Sequence, residues 1–211
     1  MSEPEAATPL GEIDPKRISK EEFAERLRSS IEDGQGQGGN GQALASLQPE
    51  QFARLISRAS SSQLESIMAP PQLREPVIDE VFRRMSEHYK ADKARNTEAV
   101  VRWRIGYGDR LPDDHRDGDQ SGSSTPGEGA DQDAGGDYLR YECLLSGGTC
   151  TVSREYEREP RVTIMVAPVD FLKLASGNSS APTMFLTGKI KVAGDLGFAA
   201  GLTKLFQIPK A

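Results

Sequence analysis

The sequence predicts an α+β domain in which helices cover one sheet. Three observations predict it. Up to about residue 90 the apolar residues recur at helical spacing. From about residue 100 they alternate instead, as in half-buried strands. After Pro168 short helical runs interleave with one more alternating stretch, so helices and strands share one layered core.

Each element follows from local grammar. Residues 1–17 are expected to be disordered. Ser19 with Glu22 fits a capping box and Ile18 with Phe23 a hydrophobic staple. Phe23, Leu27 and Ile31 then recur every four residues, giving a helix over about 19–32. The run DGQGQGGNGQ, residues 33–42, ends it as a flexible linker. LQPEQFARLI, residues 47–56, echoes ISKEEFAERL, residues 18–27, as shared helix-start grammar or a short duplication would produce, with Pro49 suited to a first turn. Ser62 with Glu65 offers a further capping box before Leu64, Ile67 and Met68, and Pro70-Pro71 breaks that helix. Val77, Ile78, Val81, Phe82, Met85 and Tyr89 make an amphipathic helix of about four turns.

Val101, Trp103 and Ile105 alternate with Arg102 and Arg104 in a strand. Residues 141–153 read as a hairpin turning at Gly147-Gly148. In that register Cys143, Leu145, Cys150 and Val152 share a face, and the two cysteines sit diagonally. Val162, Ile164 and Val166 form a strand. Pro168 opens a helix carrying Phe171, Leu172 and Leu174, stopped by Gly177. A short helix near 182–186 leads to a strand over 189–193 with Ile190 and Val192 inward. A last helix, from Asp195, carries Leu196, Ala199, Leu202, Leu205 and Phe206 on one side.

The chain has 211 residues, 36% hydrophobic and 27% charged, with net charge −6. Residues 109–137 hold nine acids and two bases, a net −7, in a Gly/Ser/Pro-rich setting that predicts a disordered acidic insert. The remainder is near neutral and has no basic stripe for nucleic acid. The longest apolar stretch, 162–169, is far shorter than the ~20 residues of a membrane helix. Two cysteines and a start without a secretory pattern suggest a reduced, cytoplasmic setting.

Most site chemistry is excluded. A phosphate loop of the G-x-x-x-x-G-K-[ST] type needs a glycine at 183 and a hydroxyl at 190, where Thr183 and Ile190 stand. Gly194, Gly197 and Gly201 have helical spacings rather than dinucleotide-loop ones. His88 and His115 are the only histidines, too few to complete a tetrahedral zinc site with Cys143 and Cys150. No nucleophile elbow is present. These observations predict no cofactor, no metal and no catalytic residue. Large apolar residues, in contrast, abound after residue 100. Trp103, Leu145, Ile164, Phe171, Met184, Phe185, Ile190, Phe198, Leu202 and Phe206 fit ordinary core packing or the walls of a cavity, with Thr183 or Thr187 near its mouth.

VDFLKLASGNSSAPTMFLTGKIKVAGDLGFAAGLTKLF, residues 169–206, resembles the sterol carrier protein 2 family. The resemblance rests on Asp170-Phe171, Leu174, Gly177, Pro182, Phe185, Gly188 to Lys191, Gly194, Leu196-Gly197 and Leu205-Phe206. It extends more loosely over VTIMV and VVRWRI to the helix at Val77, covering roughly 73–108 and 138–211. It implies an α/β fold with a five-stranded, mostly antiparallel sheet, helices over one face and an apolar tunnel bordered by the final helix. It implies non-enzymatic binding, or transfer, of a sterol, fatty acid, acyl-CoA or phospholipid, with the ten apolar residues above as lining. The chain departs from that pattern in its 109–137 insert, its residues 1–70 and its C-terminus, Ile208 to Ala211, which is not of the Ser-Lys-Leu type.

The expected organisation is thus a disordered 1–17, an isolated helix and linker over 18–45, a helical extension over 46–72 and a lipid-binding domain over 73–211. The expected partners are a lipid and, transiently, a membrane surface. The alternative is a protein–protein interaction module with the same fold and a filled core, its partner held by the N-terminal helices.

Overall fold

A computed structural model describes residues 10–33, 42–107, 111 and 138–207. The expected disorder of 1–9, of the 34–41 linker and of nearly all of the 109–137 insert lies outside the described residues. Two 3-10 turns, Leu10–Glu12 and Pro15–Arg17, come first. They correct the expectation of an unstructured 10–17. Gln63, itself buried, donates to the carbonyls of Pro15 (2.8 Å) and Ile18 (3.0 Å), which ties this segment down.

Helix α1 (Lys20–Asp33) starts where Ser19 Oγ accepts from the Glu22 N–H at 3.1 Å. The short α2 (Gln42–Ala45) leads to α3 (Pro49–Arg58), whose Gln48 and Gln51 form its capping box. Helix α4 (Ser61–Met68) is capped by Ser60 and Gln63. The expected Ser62/Glu65 box is therefore displaced by two residues, because Gln63 reaches back to the Ser60 N–H as well as to the N-terminal turn. The Pro70-Pro71 pair separates α4 from α5 (Pro71–Glu87), where Pro71 occupies the first turn. The small α6 (Ala91–Ala94) precedes the sheet.

The sheet holds β1 (Ala99–Gly106), β2 (Tyr138–Ser146), β3 (Thr149–Ser153), β4 (Val162–Val166) and β5 (Ile190–Gly194). Their order is β3-β2-β1-β4-β5. β1 and β4 run parallel and the other neighbours antiparallel, so the sheet is mixed and mostly antiparallel. Gly147 and Gly148 both have positive φ, 57° and 80°, as a two-residue hairpin turn with the right twist requires. Helices α7 (Pro168–Ala175), α8 (Ala181–Leu186) and α9 (Leu196–Leu202) complete the chain, with a 3-10 turn over Thr203–Leu205.

Alternation decides which side of the sheet meets the helices. Trp103, Ile105, Tyr141, Cys143, Leu145, Val162, Ile164 and Ile190 join the helical apolar faces in one core. The opposite face bears Arg102, Arg140 and Glu142. There the 154–161 loop crosses the strands, with Tyr156 O–H donating to the Trp103 carbonyl at 2.9 Å and Arg102 stacked on the Tyr156 ring at 4.5 Å. Burial pushes the Tyr156 phenol up to about 12 despite its three arginine neighbours.

The core also corrects the expected isolation of the helix at 18–45. Phe23, Leu27 and Ile31 of α1 are buried in the same core as Ile67 and Met68 of α4 and Val77 of α5. An amphipathic face of that size cannot remain in water when a complementary groove lies beside it. One backbone position is especially constrained. Gly194, at φ +95°, has the Arg161 carbonyl 2.5 Å from where a Cβ would stand. Gly194→Ala is expected to cost about 2–3 kcal/mol, from φ strain and the β4–β5 displacement together. Urea unfolding of the two chains checks it.

Candidate functional site

A cavity of about 300 Å³ lies between the β1-β4-β5 half of the sheet and helices α7, α8 and α9. Trp103, Ile164, Ile190 and Val192 form its floor. Pro182, Phe185 and Leu186 of α8 face Leu196, Ala199 and Ala200 of α9 across it. Its lining is almost wholly apolar, so the cavity resembles the dry kind that takes apolar guests; a ~150 Å³ cavity of that type already admits benzene. Phe185, Leu186 and Leu196 are 47%, 84% and 54% exposed, so the rim is apolar and faces water.

A second, smaller cavity of about 80 Å³ lies on the far side of Trp103, Leu174, Leu202 and Thr203, which line both. Its other walls are Pro49 and Phe52 of α3, Val81, Arg84 and Met85 of α5, His88, Phe171, Phe206 and Gln207. A short backbone clasp holds the C-terminal strap there. The Lys90 N–H donates to the Leu205 carbonyl and the Gln207 N–H to the His88 carbonyl, each at 2.8 Å. The Tyr89 and Phe206 rings meet at 5.3 Å.

Helix α9 is only seven residues long and contains two glycines, so its own propensity is poor. Its anchor is Asp195. One carboxylate oxygen accepts the Phe198 N–H at 2.8 Å, the other accepts Arg161 Nε at 3.0 Å and Nη2 at 2.8 Å. The Phe198 N–H bond, then Arg161, hold this carboxyl below its ordinary value. A depressed folded pKa stabilises above the unfolded pKa and loses that effect as pH falls through the folded one. Acidification below about pH 4 is therefore expected to loosen α9, read as faster amide exchange over 196–202. Asp195→Asn should remove most of that pH dependence.

The ten apolar residues expected to line a tunnel divide into groups. Ile164, Phe185 and Ile190 line the larger cavity, Phe171 and Phe206 the smaller, and Trp103 and Leu202 both. Leu145, Met184 and Phe198 line neither, which corrects the expectation for those three. Leu145 is fully buried on β2, on the other half of the sheet from the larger cavity. Met184 is buried in the core, on a different side of α8 from the rim residue Phe185. Phe198 is drawn aside by Arg161, whose guanidinium lies 4.4 Å from its ring centre. Thr183 and Thr187 line neither cavity: Thr183 hydrogen-bonds Ser180, and Thr187 Oγ1 donates to the Thr183 carbonyl at 2.9 Å. Thr203 takes the polar position instead.

Cys143 and Cys150 are free and buried. Their register places Cys143 opposite Val152 and Cys150 opposite Leu145, diagonal to one another. The Cys143 thiol is pushed well up, first by its contact with Cys150 and then by burial, away from thiolate chemistry. Among the described residues no cluster of three or more His, Cys, Asp or Glu could hold a metal ion. Among them, too, no helix is long and apolar enough to cross a membrane.

A stretch of 64 residues is 34% identical to Peroxisomal multifunctional enzyme A of Dictyostelium discoideum, covering 30% of this chain and 14% of that protein. The chain thus spans a small part of that relative's length. Among solved structures, Sterol Carrier Protein 2 from Yarrowia lipolytica (apo form) is 15% identical, over 65% of this chain and 93% of that one, with a TM-score of 0.43. The stereoselective inverting sec-alkylsulfatase Pisa1 from Pseudomonas sp. is 13% identical, over 95% of this chain and 32% of that one, with a TM-score of 0.44. The family described as the SCP-2 sterol transfer family matches residues 133–207, a segment that includes β2 and everything after it to the C-terminal strap.

Proposed function

We propose that this chain binds a lipid without chemical conversion, in the cavity between α8, α9 and the sheet. The observation that carries this reading is the cavity itself: about 300 Å³, almost wholly apolar, with an exposed rim of Phe185, Leu186 and Leu196. That size falls at the lower end of the ~300–1,000 Å³ of small-molecule sites. Each buried methylene contributes about 0.8 kcal/mol, so an acyl chain can be held without any catalytic group. The family's printed description, sterol transfer, supports the same class of ligand. The apolar rim suits transient contact with a membrane surface during loading. The two free, buried cysteines suit a reduced compartment such as the cytoplasm.

The competing reading, a partner-binding module built on the N-terminal helices, has less to draw on. The apolar faces of α1, α3 and α4 are already buried in the core, which leaves a partner their polar sides.

Trp103 makes the test direct. It is the protein's single tryptophan and lines both cavities. A fatty acid carrying a nitroxide on its chain should quench Trp103 emission with one-to-one saturation. Emission that stays unchanged while the labelled lipid is in excess would count against a lipid in this cavity.

A further inference from the structure

β5 ends the sheet, so among the described residues its outer side has no neighbouring strand. The Asp195 N–H donates to the Arg161 carbonyl at 3.1 Å, which fixes how the β4–β5 ladder alternates. Thr163 with Ala193 and Met165 with Lys191 are then hydrogen-bonded pairs. Ile190, Val192 and Gly194 turn their backbone N–H and C=O groups the other way, off the edge of the sheet. Val192 is half-buried and Gly194 exposed, and no hydrogen bond among the described residues takes up their outward backbone groups. An edge is usually guarded by several charges, a proline or a bulge, whereas Ile-Lys-Val-Ala-Gly offers one lysine.

The surroundings of this edge say what covers it. Four large apolar side chains are exposed among the described residues. Three of them, Phe185, Leu186 and Leu196, stand around the same cavity mouth as Ile190 and Val192. Such a cluster marks an interaction surface. The charges beside it are neutralised locally, Lys189 by Asp170 at 3.1 Å and Asp195 by Arg161 at 2.8 Å. The corner thus presents little net field, which neither attracts a strongly charged partner nor repels its own copy. Hydrocarbon would leave the outward N–H and C=O groups without partners, a cost that a second strand edge removes.

We infer that this corner binds a second copy of the chain, β5 against β5, antiparallel about a two-fold axis at Val192. The outward backbone groups fix the register. Val192 meets Val192 of the second copy and Ile190 meets its Gly194, as hydrogen-bonded pairs. Lys191 then lies opposite the copy's Ala193, not opposite its own counterpart, so the strand is self-complementary. Phe185, Leu186 and Leu196 of both chains flank the seam and leave water there. The pairing does not depend on whether the cavities are filled, and the rim meets a membrane only when the two chains part.

Sedimentation velocity on the full chain from about 1 to about 100 µM tests this, since a small interface gives a weak, reversible dimer. The expected result is a concentration-dependent shift from monomer to dimer. Amide exchange at Val192 and Gly194 should slow over the same range, while Lys191 and Ala193, already bonded to β4, stay unchanged. Ala193 is exposed and lines neither cavity, so charges can be placed there without disturbing the core. Ala193→Lys sets two like-charge pairs across the seam and should weaken association about fivefold, and Ala193→Glu should strengthen it about as much. A monomer at every concentration overturns the inference. So does a dimer whose exchange at Val192 and Gly194 is unaltered, which places the contact on another face, and so does equal association of the two Ala193 variants. Protection of Val192 and Gly194 that arises only with phosphatidylcholine vesicles, the chain itself staying monomeric, overturns it in favour of a membrane contact.

Discussion

Ala199→Trp is expected to lower lipid uptake by at least about a hundredfold while leaving the fold intact. Ala199 is half-buried on α9 and lines the larger cavity. An indole projecting there occupies space that an acyl chain would otherwise use. Displacing about four methylenes, at ~0.8 kcal/mol each, removes ~3 kcal/mol of binding, which corresponds to a factor of roughly two hundred. Filling an empty apolar cavity tends to stabilise the protein itself, so Tm should hold or rise. Uptake measured through nitroxide quenching of Trp103 would be confounded by the new tryptophan. Native mass spectrometry with hexadecanoate is therefore the readout, beside a thermal melt. Undiminished uptake with a normal melt would place the ligand elsewhere.

Phe82→Ala is expected to destabilise the chain by about 3–5 kcal/mol, the usual cost of emptying a fully buried aromatic site. Phe82 is 1% exposed on α5. Its ring stacks on Tyr141 of β2 at 3.9 Å and on Phe171 of α7 at 5.0 Å, and meets Trp103 of β1 edge-on at 5.9 Å. One side chain thus joins two helices to two strands, including both halves of the sheet's inner face. The Tyr141 hydroxyl meanwhile donates to Asp79 at 2.7 Å, which keeps that ring in place. Burial and the nearby Asp79 carboxylate both push the Tyr141 phenol up, so this attachment persists through the neutral and mildly alkaline range. Denaturant unfolding measures the loss. A change below about 1 kcal/mol would show that the cluster collapses around the gap more freely than a close-packed core allows.

Most of the fold was legible because its signals are local. Gly147-Gly148 between alternating runs marks a hairpin, and both residues adopt the positive φ that such a turn needs. Asp195 at the head of an apolar run marks a helix start, and it caps α9. Pro168 and Gly177 bracket α7. Strand alternation placed Trp103, Ile164 and Ile190 on one face, which is why they reach the same cavity.

What the sequence hid is non-local. Leu145 has the same alternation as Ile164, but only strand order separates β2 from the half of the sheet that floors the larger cavity. Phe198 reads as an inward helical residue, yet Arg161, 37 positions earlier, draws its ring aside. The Ser62/Glu65 pattern is a sound capping box, but Gln63 makes a tertiary contact with Pro15 and Ile18 that favours Ser60. Pro49 and Phe52 carry no sign of a site, because their part in it depends on α3 packing against α7.

Native mass spectrometry of the protein as purified, followed by extraction and identification of whatever small molecule accompanies it, asks whether the apolar cavity holds a lipid. A one-to-one apolar adduct, diminished by Ala199→Trp, is expected. A bare polypeptide mass, unchanged after incubation with mixed lipids, would contradict it and turn attention to the polar outer faces of the N-terminal helices.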